Sequence, residues 1–145
     1  MKRAILVALG IGAIVSSAAA FSIGAADEGA RLTQERYLAK VRMIEASGTA
    51  RLAGCEAMPG PAREFCQVEA EGDQAVRLAD AEAAYRRTRQ AARAAQRARI
   101  EARYQSERAQ CATLGGARRD SCMVQVHAAR GRAMLDAAAP YEVRS

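Results

Sequence analysis

Tryptophan is absent from this chain of 145 residues, and histidine occurs once, beside two Phe and four Tyr. Beyond Ala26 the aromatic side chains are Tyr37, Phe65, Tyr85, Tyr104 and Tyr141 alone. Scarce aromatics exclude the stacking platform that single-stranded nucleic acid requires, and they leave little with which to fill a core. The lone histidine, His127, reads as a solvated or partly packed helix residue rather than a ligand or base. No Ser/His/Asp set and no glycine-rich phosphate loop can be assembled. C-x-x-C, the usual redox spacing, is missing, and the cysteines stand too far apart for a zinc set. These absences argue against an enzyme and against any cofactor.

Acidic and basic side chains are also missing between Arg3 and Asp27. That gap has the layout of an export signal. Lys2 and Arg3 form a positive start, Ala4–Val15 is apolar, and Ser16-Ser17-Ala18-Ala19-Ala20 supplies small residues. Cleavage after Ala20 or Ala26 would start the mature chain at Phe21 or Asp27. A retained segment, at residues 4–26, is long enough to anchor the chain in the inner membrane. Either way the remainder is expected outside the cytoplasm, periplasmic or secreted, because the positive charges precede the apolar run. No cysteine lies near the cleavage site, which argues against lipoprotein attachment.

About 120 residues remain, rich in Ala and Arg. Such a composition favours helix but buries little apolar area, and a thin core needs staples. Four cysteines in an oxidising compartment can supply them. Shifting the chain by 56 residues places Met43–Tyr85 on Arg99–Tyr141 with 13 identities in 43 ungapped positions. Among the identities, Cys55 falls on Cys111, Gly60 on Gly116, Arg63 on Arg119 and Cys66 on Cys122. Shared Ala means little here, but two C-x10-C pairs at one offset indicate a duplicated unit. Three pairings of four cysteines are possible, and the repeat favours Cys55–Cys66 with Cys111–Cys122.

Turn chemistry lies inside each pair, Met58-Pro59-Gly60-Pro61 and Leu114-Gly115-Gly116. The expected fold is therefore all-α: a signal or anchor over 1–26, a first helical hairpin over 27–85, and a second over 86–145. Helices are expected over about Glu28–Ala57, Ala62–Thr113 and Ala117–Ala138, with Gly48 and Gly72 as local weak points. No breaker stands between Asp73 and Gln110, so the middle helix is predicted to run unbroken for about 75 Å, shared by both hairpins.

The stretch Ile100–Cys122 carries I-x3-Y-x6-C-x2-L-x-G-x2-R-D-x-C. It resembles a group of small exported, Ala-rich helical proteins of proteobacteria built on this hairpin motif. The resemblance covers Ile100–Tyr141 well and Ile44–Tyr85 weakly, where Gly48 replaces the tyrosine and Met58-Pro59-Gly60 replaces Leu-x-Gly. It implies the helical hairpin and no activity. Leu32-Thr33-Gln34 begins like the LTxxQ signature of certain periplasmic chaperones, but Arg36 stands where the glutamine is required.

Two surface features remain. Ala84, Thr88, Ala91, Ala95, Ala98, Ala102, Gln105 and Ala109 form a heptad seam of small side chains, opposite Ile100, Tyr104 and Cys111. That seam is expected to receive either the first helix folding back or a second copy of the chain. Charge is the other feature. Asp27–Tyr85 holds 7 Lys/Arg against 11 Asp/Glu, a net of −4, whereas Arg86–Ser145 holds 13 against 5, a net of +8. Arg86, Arg89, Arg93 and Arg97 crowd one helical arc, where like charges repel. Antiparallel pairing about Cys111–Cys122 would set Arg97 against Asp136 and leave the others free. These four are the candidate binding residues, and Arg86–Arg132 the candidate binding segment. The expected partner is an anionic envelope surface, lipid phosphate or lipopolysaccharide, or an acidic protein; nucleic acid is a poor candidate outside the cytoplasm. A non-enzymatic spacer or adaptor is the favoured function, with a holdase chaperone as the alternative.

Overall fold

Thr33 opens the first element by closing a hydrogen bond of 3.3 Å from the Arg36 amide to its own side chain, the usual device for an orphan N–H at a helix start. The computed structural model describes residues 33–139 and comprises, within them, four helices and no strand: α1 (Gln34–Glu56), α2 (Gly60–Arg86), α3 (Arg89–Ala112) and α4 (Gly116–Ala138). The expected export or anchor segment over 1–26 and Tyr141 lie outside the described residues. None of the described helices is long and apolar enough to cross a membrane.

Both cysteine pairs are bonded as the repeat suggests, Cys55–Cys66 and Cys111–Cys122, with Cα separations of 5.6 and 5.7 Å. The turns they close share one construction. The amides of Met58 and Leu114 donate to the carbonyls of Cys55 and Cys111. Gly60 and Gly116 then start the returning helices at φ +43° and +55°, a conformation that costs an L side chain but not glycine. Each clip closes a short loop and contributes roughly 3 kcal/mol by the loop-entropy argument.

The long middle helix does not form. Arg87 takes the left-handed conformation, φ 50° and ψ 35°, and its amide donates to the Ala83 carbonyl to end α2. Thr88 is extended, and its side chain accepts from the Ala91 amide at 3.1 Å to start α3. Neither residue is a glycine or proline, so the break carries no breaker in the sequence. The physical reason lies in packing. The reversal at Arg87–Thr88 lays Ala91, Ala95 and Ala102 against α2 within one chain, with no need of a second copy to cover them. α1 starts at Gln34, after the Thr33 cap; the expected start at Glu28 lies outside the described residues.

Each helix packs antiparallel on its chain neighbours, α1 on α2, α2 on α3 and α3 on α4, and among the described residues no other pair of helices touches. The arrangement is an up-down-up-down meander, not a closed bundle. α2 and α3 approach closely because their facing side chains are small. A Cβ added at Gly72 would stand 3.1 Å from that of Ala102, and Ala70, Ala81, Ala91 and Ala95 are buried. The seam expected to receive the first helix or a second copy is split by the reversal: its α3 part, from Ala91 on, is filled by α2, whereas Ala84 belongs to α2 itself and is exposed. Of the fully buried side chains the largest are Ile44, Cys55 and Cys111, so the staples carry an unusual share of the stability. One Arg–carboxylate pair crosses each interface: Arg51–Asp73 at 2.8 Å, Arg99–Asp80 at 2.5 Å and Arg130–Glu101 at 2.7 Å. All are half exposed, and such pairs contribute about 0–1 kcal/mol each. They set register more than stability.

Candidate anion-binding surface

Helix by helix, the formal charges are +1 for α1, −3 for α2, +4 for α3 and +2 for α4. The acidic excess of the first half thus sits on α2, directly against the most basic helix. This neighbour offsets part of the repulsion among the arginines through Asp80 on Arg99, and Glu69 of α2 accepts from Ser106 of α3 at 2.8 Å.

The four candidate arginines do not share one helix. Arg86 is the last residue of α2, whereas Arg89, Arg93 and Arg97 recur every four residues along one exposed face of α3. Arg86 was expected to be free but is held by Glu82, one turn earlier on α2. Glu82 also accepts from the Tyr37 hydroxyl, and the Tyr37 ring stacks on Tyr85 with centroids 4.5 Å apart. The hydrogen bond from Tyr37, and then that from Arg86, hold the Glu82 carboxyl below the usual carboxylate range. Conversely, donation to Glu82 pushes the Tyr37 hydroxyl up. Arg97 does not meet Asp136 in an ion pair. Among the described residues Arg87, Arg89, Arg93 and Arg97 have no carboxylate within salt-bridge distance, although each is exposed.

A second group of arginines escaped the sequence reading. Arg99, Arg103, Arg130 and Arg132 line a groove of about 400 Å³ between α3 and α4, together with Tyr104 and Asp136. Tyr104 lines this groove at the position where the first hairpin has Gly48. Gln74 lies so close to Gly48 that an added Cβ would meet its side chain, whereas at the equivalent place Arg130 rests on the Tyr104 ring, 5.0 Å from its centroid. Arg130 also bonds Glu101 and, with Gln105, holds that carboxyl low. Arg103 is paired with Glu107 on its own helix. Of the four groove arginines, Arg132 alone has no carboxylate partner among the described residues. The wide Tyr in place of Gly was visible in the repeat, and it was the one sequence signal that could have pointed to this opening.

His127 lies on the exposed side of α4, with Nδ1 3.3 Å from the Tyr104 hydroxyl. Among the described residues no three His, Cys, Asp or Glu side chains gather as a metal site would require. No protein-family model, curated protein or solved structure matches this chain.

Proposed function

We propose that this chain is a non-enzymatic protein of the cell envelope, a disulfide-clipped helical spacer or adaptor made by duplication of one hairpin, whose basic half docks on anionic partners. The observation that carries this reading is the concentration of uncompensated cations at the start of α3, where Arg87, Arg89 and Arg93 have no carboxylate partner among the described residues. Cations also sit poorly at the positive end of a helix dipole, so an anionic partner would relieve a cost that the fold itself leaves standing. The disulfides fit an oxidising compartment, and the apolar run at 4–26 supplies a route there. A holdase has less support. Among the described residues the exposed large apolar side chains are Leu38 and Met43 on α1, Val124 and Leu135 on α4, and Met58 and Leu114 at the two clipped turns, scattered over helices and turns rather than gathered in one concave face.

Sedimentation with vesicles tests the docking. Protein recovered from the periplasm, with its start at Phe21 or Asp27 established by intact mass, is expected to pellet with phosphatidylglycerol-containing vesicles or with lipopolysaccharide. It should not pellet with phosphatidylcholine alone, and salt should release it, because exposed charges act over only about 8 Å at physiological ionic strength. Equal sedimentation with neutral and anionic vesicles, or none with either, would contradict the reading.

A further inference from the structure

The antiparallel meander gives the described helices two distinct ends, separated by the length of α2, roughly 40 Å for its 27 residues at 1.5 Å each. One end holds both clipped turns. The other holds the start of α1, the reversal at Arg87–Thr88 and the end of α4. Arg86, Arg87, Arg89 and Arg93 fall within eight residues at this second end, where the nearby acids are Glu82, which pairs with Arg86, Glu35 at the start of α1 and Asp136 at the end of α4. The clipped end differs: Glu56–Arg63 has one acid and one base, and Ala112–Asp120 two arginines and one aspartate.

Charge is not the only peculiarity of the basic end. The stacked pair Tyr37 and Tyr85 lies there, half buried, one turn from Gln34 and two residues from Arg87. Tyrosine rings beside arginines are the side chains that settle at the headgroup level of a bilayer, apolar on the face and polar at the tip. The chain itself adds a third constraint. Only residues 27–32 separate the apolar run ending at Ala26 from the Thr33 cap, and six residues reach at most about 20 Å. Whenever that run is retained in a bilayer, the basic end is tethered near its surface.

From these three observations we infer that the protein stands end-on, with the Arg87–Arg93 end on an anionic phospholipid surface and the two clipped turns directed away from it. The inference rests on the anionic docking proposed above and adds the surface and the partner. In this pose the hairpin tips Met58 and Leu114 face outward and the α3–α4 groove opens on the flank of the helices, both available to whatever the spacer holds.

Amide exchange of the full chain in lipid nanodiscs tests the pose, with discs that differ only in lipid charge so that any contribution of the apolar run is common to both. In discs containing phosphatidylglycerol, the amides of Thr88–Ala92 should exchange about tenfold or more slowly than in discs of phosphatidylcholine alone. Raising salt to about 1 M, where screening acts within roughly 3 Å, should erase the difference. The turns at Gly60 and Gly116 should not change. Arg89→Glu with Arg93→Glu should abolish the protection, and the protein will still fold, because an acid suits the start of a helix. Arg118→Glu with Arg119→Glu at the clipped end should leave it intact. Protection along α4 or at the clipped turns would overturn the end-on pose and keep the anionic reading. Protection nowhere, or equal protection in both discs, would overturn both.

Discussion

Tyr37, Glu82 and Arg86 show how few side chains tie α1 to the basic end. Glu82 accepts from both partners, and its carboxyl titrates low for that reason. Glu101 does the same under Arg130 and Gln105. A carboxyl that binds its proton more weakly in the folded chain stabilises the fold above the unfolded value, about 4.3 for glutamate. That stabilisation is lost as pH falls through the folded value. Tyr37 runs the opposite way: raised in the fold, it contributes fully below the unfolded value of about 10 and loses its share as pH rises through the folded one. Urea midpoints across the pH range should therefore form a plateau with a decline on each side. Glu82→Gln is expected to soften both declines and Glu101→Gln the acid one alone; unchanged acid limbs in both variants would contradict these assignments. Residue by residue, the sequence exposed the cysteines, the turn glycines and the free Arg89 and Arg93. The partner of Arg86 stayed hidden because it sits one turn back on the same helix, within a segment taken for the acidic half. Arg99, Arg103, Arg130 and Arg132 stayed hidden because a groove between two helices depends on which faces meet.

Among the elements, the hairpins were legible and the reversal between them was not. Cysteine spacing and glycine at each turn specify α1–α2 and α3–α4, since left-handed starts at Gly60 and Gly116 tolerate no ordinary side chain cheaply. The reversal uses Arg87 in the same left-handed region and relies on Thr88 as the cap of α3. A threonine amid arginines gives weak notice of a helix start, and the gain from laying Ala91, Ala95 and Ala102 on α2 appears only when the chain has folded back. Substitution separates the two architectures by sign. With the reversal present, Arg87→Gly should raise stability by about 0.5–1 kcal/mol through relief of the left-handed strain. Thr88→Ala should lower it by about 1 kcal/mol through loss of the cap. In an unbroken helix the glycine would instead cost about 1 kcal/mol and the alanine would help. Thermal unfolding of the two variants distinguishes these outcomes.

On the scale of the whole molecule, the charge asymmetry read from the sequence takes a different form in space. The sequence divides into an acidic and a basic half, but the fold brings acidic α2 against basic α3 and leaves Arg87, Arg89 and Arg93 clustered at one end with no carboxylate partner among the described residues. Helix content, disulfide pairing and the thinness of the core followed from composition and spacing. The order of packing did not, because Ala-rich faces are nearly interchangeable and small differences in fit decide which of them meet. Everything proposed about docking depends on the reversal at Arg87–Thr88, since it gathers the start of α1 and the arginines at one end and both clipped turns at the other. The distance between the two hairpin tips tests this most directly. Genetically encoded spin labels at Met58 and Leu114, which leave all four cysteines bonded, permit its measurement by pulsed electron resonance. Two interhelical spacings of 8–10 Å separate the tips in the meander, a distance of about 20 Å; a distribution centred near 75 Å, the length of an unbroken middle helix, would contradict the account.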